Sequence, residues 1–207
     1  MIVSHAKQFI FFAVPKTGTH AIRELLSPHK GPEDWEQHIL FGQQQSPIAE
    51  IAKIQHGHIS VRQIVPHFDQ ASWRRYFKFA IVRNPFDRFI SICFFLNRKN
   101  SKFAESPLQW MKSAITVPRF RARVLVQPQY LQLVDVQGDI AMDYVGRYEK
   151  LQDSVDEICQ ILQIESTQLQ KRNASEHKQY REYYDEELKS MVQSFYQQDL
   201  TQFNYSY

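Results

Sequence analysis

Apolar positions along this chain fall into short unbroken runs, each followed by a stripe at helical spacing. Phe9–Val14 (FIFFAV) has no polar break, and such a run predicts a strand buried on both faces, as inside a parallel sheet. After an interruption at Pro-Lys-Thr-Gly-Thr, Ala21, Ile22, Leu25 and Leu26 recur along one face of a helix. The stretch from Ser27 to Pro47 holds Pro28, Gly31, Pro32 and a glutamine-rich patch, so it reads as loop with a short helix around Trp35–Leu40. The strand-to-helix pattern then repeats. Phe77–Val82 is the strand, and Phe86, Phe89, Ile90, Cys93 and Leu96 mark the core face of the helix after it. Ser106-Pro107 offers a cap and first turn for a helix through Ile115. MDYVGRYEKL reads as a short strand entering a helix with Leu151, Val155, Ile158, Cys159 and Leu162 on one side. A last helix covers about Tyr183–Gln198, with Tyr184, Leu188, Met191, Val192 and Phe195 inward. Strands alternating with helices predict an α/β fold: three layers, α/β/α, around a central parallel sheet, in a single domain over residues 1–207.

Composition narrows the function classes. With 43% hydrophobic and 14% aromatic residues the chain has material for one sizeable core, which excludes a disordered protein. A net charge of +3, without a dense basic run, argues against a nucleic-acid partner. The six apolar residues at 9–14 are too few for a membrane span or a secretory leader, so a cytoplasmic location is expected. Cys93 and Cys159 lie on helix core faces, where packing thiols and a single disulfide are both open readings.

The interruption after the first strand is where chemistry enters. A strand, then Lys16-Thr17-Gly18-Thr19, then a helix places backbone N–H groups and the positive end of a helix dipole at a strand's carboxyl end. Gly18 allows close backbone approach, Thr17 and Thr19 add hydroxyls, and Lys16 adds a full charge. The arrangement is that of a phosphate loop but not the Walker sequence, because the lysine precedes the glycine. An ordinary strand–turn–helix with a surface lysine has the same pattern. The second unit supplies an independent pointer. IVRNPFDRFIS puts Arg83 at the end of a strand and Ser91 eight residues on, a guanidinium fork and a hydroxyl suited to a second phosphate. Two anion sites on two strand–helix junctions suggest a ligand with phosphates at both ends.

At these residues the sequence resembles the sulfotransferases that use 3'-phosphoadenosine 5'-phosphosulfate (PAPS). FFAVPKTGT is similar to that family's 5'-phosphosulfate loop and FAIVRNPFDRFIS to its 3'-phosphate motif. HGH at 56–58 resembles the paired histidines of the uronyl 2-O-sulfotransferases in the Golgi-type carbohydrate branch. His20 departs from the pattern, standing where threonine or serine is usual, and the chain is short for that branch. The resemblance implies sulfuryl transfer from PAPS to a hydroxyl acceptor, a glycan by the branch, with 3',5'-ADP as product and no metal. It also implies donor contacts at Pro15, Lys16, Thr17, Gly18, Thr19 and His20, and 3'-phosphate contacts at Arg83 and Ser91. Lys16 would stabilise the departing 5'-phosphate. His58 is the expected general base with His56 assisting, the order of the two being open, since alternate residues of an extended segment face one side.

Two weaker features remain. Arg119, Arg121 and Arg123 alternate in PRFRARV, so an extended chain would line them up to hold an anionic acceptor, or simply face solvent. KRNASEH, 171–177, could be a lid with Arg172 and Ser175 reaching phosphate, or a plain loop. A phosphate-loop kinase or nucleotide hydrolase, and a catalytically silent nucleotide-binding module, stay open beside the sulfotransferase reading. Composition says nothing of oligomeric state.

Overall fold

A computed structural model describes residues 1–38, 46–169 and 179–207. The chain divides into two compact units, Met1–Val82 with Gln129–Gln170, and Arg83–Pro128 with Lys171–Tyr207.

The first unit is built on one five-stranded sheet of β1 (Ile2–Ser4), β2 (Phe9–Phe12), β3 (Trp35–Glu36), β4 (Phe77–Val82) and β5 (Tyr144–Arg147). Their order across the sheet is β3-β1-β2-β4-β5. β2, β4 and β5 run parallel, but β1 lies antiparallel to both β2 and β3. The expected all-parallel sheet is therefore mixed. The reason is the connection: only His5 to Gln8 separate β1 from β2, and so short a link can only reverse the chain. Gln8 takes a left-handed φ of 53° in that turn. Asp34 fixes the turn from across the sheet edge, accepting from the Ser4 hydroxyl and from the backbone N–H groups of His5 and Ala6. Those contacts also explain why Trp35–Glu36 pairs as a strand where a helix around Trp35–Leu40 was expected. Leu40 itself lies outside the described residues.

FIFFAV is buried throughout, as its unbroken apolarity requires. On one face Phe9, Phe11, Ala13, Phe79 and Ile81 pack against Ile22, Leu25 and Leu26 of the Thr19–Leu26 helix, and against Val155, Ile158, Cys159 and Leu162 of the Leu151–Leu162 helix. Phe11 and Phe79, opposite each other in register, stack at 5.2 Å. On the other face Phe12 meets Trp73 edge-on at 6.3 Å. Each fully buried large side chain contributes roughly 1.5–3 kcal/mol, so these two helices are held chiefly by the sheet rather than by their own propensity.

The second unit is helical. Helices Pro85–Asn97, Pro107–Thr116 and Glu186–Phe195 share a core of Phe86, Phe89, Ile90, Cys93, Met111, Ile115, Leu188 and Val192. Asn84 caps the first, its side chain accepting from the Phe86 N–H at 3.0 Å with Pro85 in the first turn. Ser106 makes no cap hydrogen bond, whereas Asp185 caps the last helix from one residue ahead of it. Arg88 is a folding residue. It is fully buried, its guanidinium donates to the carbonyls of Leu125 and Gln127 at 2.9 and 3.0 Å, and it lies over the Tyr196 ring. Cys93 and Cys159 are buried free thiols. Among the described residues no helix is long and apolar enough to cross a membrane.

Candidate active site

The loop after β2 is shaped by its own backbone. The Val14 N–H turns back onto the Phe12 carbonyl at 3.0 Å, and the buried Thr17 hydroxyl donates to the Val14 carbonyl at 2.9 Å. Of the two threonine hydroxyls expected to face a ligand, this one instead holds the loop. Lys16 sits at φ 66° and Gly18 at φ 81°, both in the left-handed region. For a lysine that conformation costs on the order of 1–3 kcal/mol and persists only where surrounding contacts impose it, a hallmark of ligand-binding loops. Gly18 has a second constraint: a Cβ there would lie 2.9 Å from Leu151 Cδ2 and 3.4 Å from the Tyr148 ring. The Thr19–Leu26 helix then opens with no side chain capping it. With no side chain at the cap, the positive end of the helix dipole favours an anion there.

The His-Gly-His segment is placed in the same unit. The His56 and His58 rings lie 6.1 Å apart and only 31° from parallel, so they do share a side. Gly57 is obligatory for packing, since a Cβ would fall 2.2 Å from the Gln37 carbonyl oxygen. His58 Nδ1 is 2.7 Å from the Ala13 carbonyl oxygen, one residue past β2. A carbonyl can only accept, so Nδ1 carries the proton and the lone pair of the neutral ring is on Nε2. Burial pushes His58 down to about 3 and lowers His56 as well. Both rings are neutral at pH 7, the form a base must have.

Sequence reasoning passed over two neighbours. His38 has its ring 6.2 Å from that of His20, and burial followed by the charge of Arg23 brings it to about 4. Arg23 is buried and ion-paired to Glu36, which also receives Lys30 at 3.1 Å. The signal for Arg23 was its place beside the apolar stripe of its helix. His38 left no sequence signal, because its partner is 18 positions away in the chain.

These depressed histidines predict acid sensitivity. A histidine held neutral by its surroundings contributes stability that is fully present above its unfolded value of ~6.5 and is lost as pH falls through the window down to the folded value. In that window each contributes a slope of at most about 1.4 kcal/mol per pH unit. Denaturant unfolding at pH 7.5, 6 and 5 is expected to show falling stability, with a shallower fall in His58→Asn. Equal stability at all three values would contradict the lowered values of His38 and His58.

In the second unit Arg83 is buried at 6% exposure, and its Nε donates to Asp87 Oδ2 at 2.8 Å, one helical turn on. Ser91 is buried on the Pro85–Asn97 helix. The arginine stripe is a correction. Pro118–Arg121 is helical, so Arg119, Arg121 and Arg123 do not line one extended face. Arg121 lies 5.7 Å over the Phe195 ring and Arg123 6.0 Å over that of Phe120. Pro118 in the first turn made the helix legible, and the alternation of charges concealed it. Arg172 and Ser175 lie outside the described residues. Among the described residues no group of three or more His, Cys, Asp or Glu side chains is placed to hold a metal ion.

Comparison with curated proteins and with solved structures gave no match. A family model described as "Sulfotransferase family" matches residues 1–206. That match takes in the Lys16 loop, the His-Gly-His segment, Arg83 and Ser91 together, and the chain belongs to the sulfotransferase family, enzymes that move a sulfuryl group onto a hydroxyl acceptor.

Proposed function

We propose that this sulfotransferase takes its sulfuryl group from PAPS and passes it in line to a carbohydrate hydroxyl, with His58 as general base. The observation that carries the reading is the loop at 14–18. Two left-handed residues deliver the chain into an uncapped helix N-terminus, and one of the two is the lysine. β2 and β4 are parallel neighbours and so end on the same sheet edge, the edge where α/β proteins bind nucleotides.

Each residue has a distinct task. The loop amides from Lys16 to His20 hold the 5'-phosphosulfate, and Lys16 offsets the charge that grows on the bridging oxygen as the S–O bond breaks. Arg83 and Ser91 read the 3'-phosphate, which distinguishes PAPS from ATP. Arg83 comes to this task already oriented by Asp87. His58 Nε2 accepts the acceptor hydroxyl's proton while the Ala13 carbonyl keeps Nδ1–H in place. The carbohydrate class rests on the likeness of His56-Gly57-His58 to the uronyl branch.

Thermal unfolding with ligands tests the donor. At 100 times its dissociation constant, 3',5'-ADP should add about 2.7 kcal/mol of apparent stability without added metal. ATP should add much less. Equal stabilisation by ATP, or dependence on Mg²⁺, would favour a kinase or nucleotide hydrolase. Binding without 3',5'-ADP release from PAPS, across uronate-containing glycans, tyrosine peptides and simple alcohols, would mark a silent binding module.

A further inference from the structure

Gln132 is buried at 8% exposure in the short Tyr130–Leu133 helix. Its Nε2 donates to the Ala13 carbonyl and to the Ile59 carbonyl, both at 3.1 Å. An amide –NH₂ has two protons, and both acceptors are carbonyls, so the orientation of the amide is fixed by chemistry. Ala13 is the carbonyl that receives His58 Nδ1–H, and Ile59 is the residue after His58. The two lone pairs of the Ala13 oxygen are thus shared between His58 and Gln132, one residue beyond the last ladder position of β2.

We infer that Gln132 is the positioning residue of the His58 base: it ties the ring's anchor and the ring's own backbone together, so that Nδ1 keeps its proton and Nε2 faces the acceptor. The inference rests on the proposed role of His58. Without the bridge, the Ala13 carbonyl is free to turn from the ring, and the backbone after His58 loses its tie to the loop. The imidazole then loses its reason to prefer the Nδ1–H tautomer. A base in the wrong tautomer presents a proton where a lone pair is needed, and turnover falls even though the residue is present.

The test uses the full chain labelled with ¹⁵N-histidine. In the wild type, His58 should give the signals of an Nδ1–H ring. Gln132→Leu should introduce the Nε2–H form and lower kcat with PAPS and a uronate-containing glycan by about 10–100-fold, the usual effect of removing a residue that orients another. Its stabilisation by 3',5'-ADP should be unchanged. A folded Gln132→Leu protein that keeps a pure Nδ1–H signal overturns the inference. Should that variant not fold, Gln132→Met keeps the length of the side chain and has no donor in any protonation state. It should show the same tautomer change, and a pure Nδ1–H signal there overturns the inference equally. The base itself is tested apart from this, by His58→Asn. Full turnover in that variant removes the catalytic reading whatever the spectra of the Gln132 variants show.

Discussion

His58→Asn is expected to lower kcat by about 10²–10⁴, the range a positioned general base supplies, while leaving stabilisation by 3',5'-ADP intact. Asparagine is the informative choice because its side-chain N–H₂ can stand where Nδ1–H stands and keep the hydrogen bond to Ala13 at 2.7 Å. What it lacks is the Nε2 lone pair. The anchoring is preserved, the basicity is removed, and loss of turnover reports on proton transfer alone. His56→Ala should act in the same direction more weakly, since among the described residues its Nδ1 has no hydrogen-bond partner to orient the ring. The pH profile gives a second measure. Because burial holds His58 near 3 in the free protein, the acid limb of kcat/KM should lie far below the ~6.5 of an ordinary histidine. An anionic donor beside the ring favours the imidazolium, so the limb in kcat should lie higher than the limb in kcat/KM. Full activity of His58→Asn at pH 7 would place the base elsewhere.

How far the sequence foretells the structure depends on the distance over which each feature is decided. β4 and the Pro85–Asn97 helix are local: an apolar run, an asparagine cap, a proline at the first turn and a stripe of large apolar residues all agree. The Lys16 loop is legible for the same reason, as Gly18 and the helix after it lie within a few residues. β1 and β3 are not. Strands of three and two residues show no periodicity, and their pairing is settled by Asp34 reaching back to Ser4, His5 and Ala6. The arginine triplet shows the opposite hazard, where alternation of charge imitates a strand although Pro118 starts a helix. In the site, the convergence of His56 and His58 follows from spacing, but the anchor of His58 does not. Ala13 is 45 positions from His58 and Gln132 is 119 from Ala13, so that network exists only once β2 is in place.

Lys16→Ala is expected to cost about 10²–10³ in kcat with PAPS while its KM changes by only a few-fold, the pattern of an interaction made in the transition state. In the bound donor the bridging oxygen carries little charge, so the ammonium gains little by being near it. As the S–O bond opens, that oxygen becomes part of a phosphate with a full additional charge, and the lysine then matters most. The loop geometry isolates the effect. Lys16 occupies its left-handed conformation as a non-glycine residue, and alanine carries the same backbone restriction, so the loop should keep its shape. Unfolding stability of the variant checks that directly and should stay close to wild type. Affinity for 3',5'-ADP, in which the charge has already formed, should weaken more than affinity for PAPS. The opposite split, with KM for PAPS raised many-fold and kcat unchanged, would make Lys16 a residue that only binds the donor. The stabilisation of the leaving group would then fall to the loop amides and the helix N-terminus at Thr19.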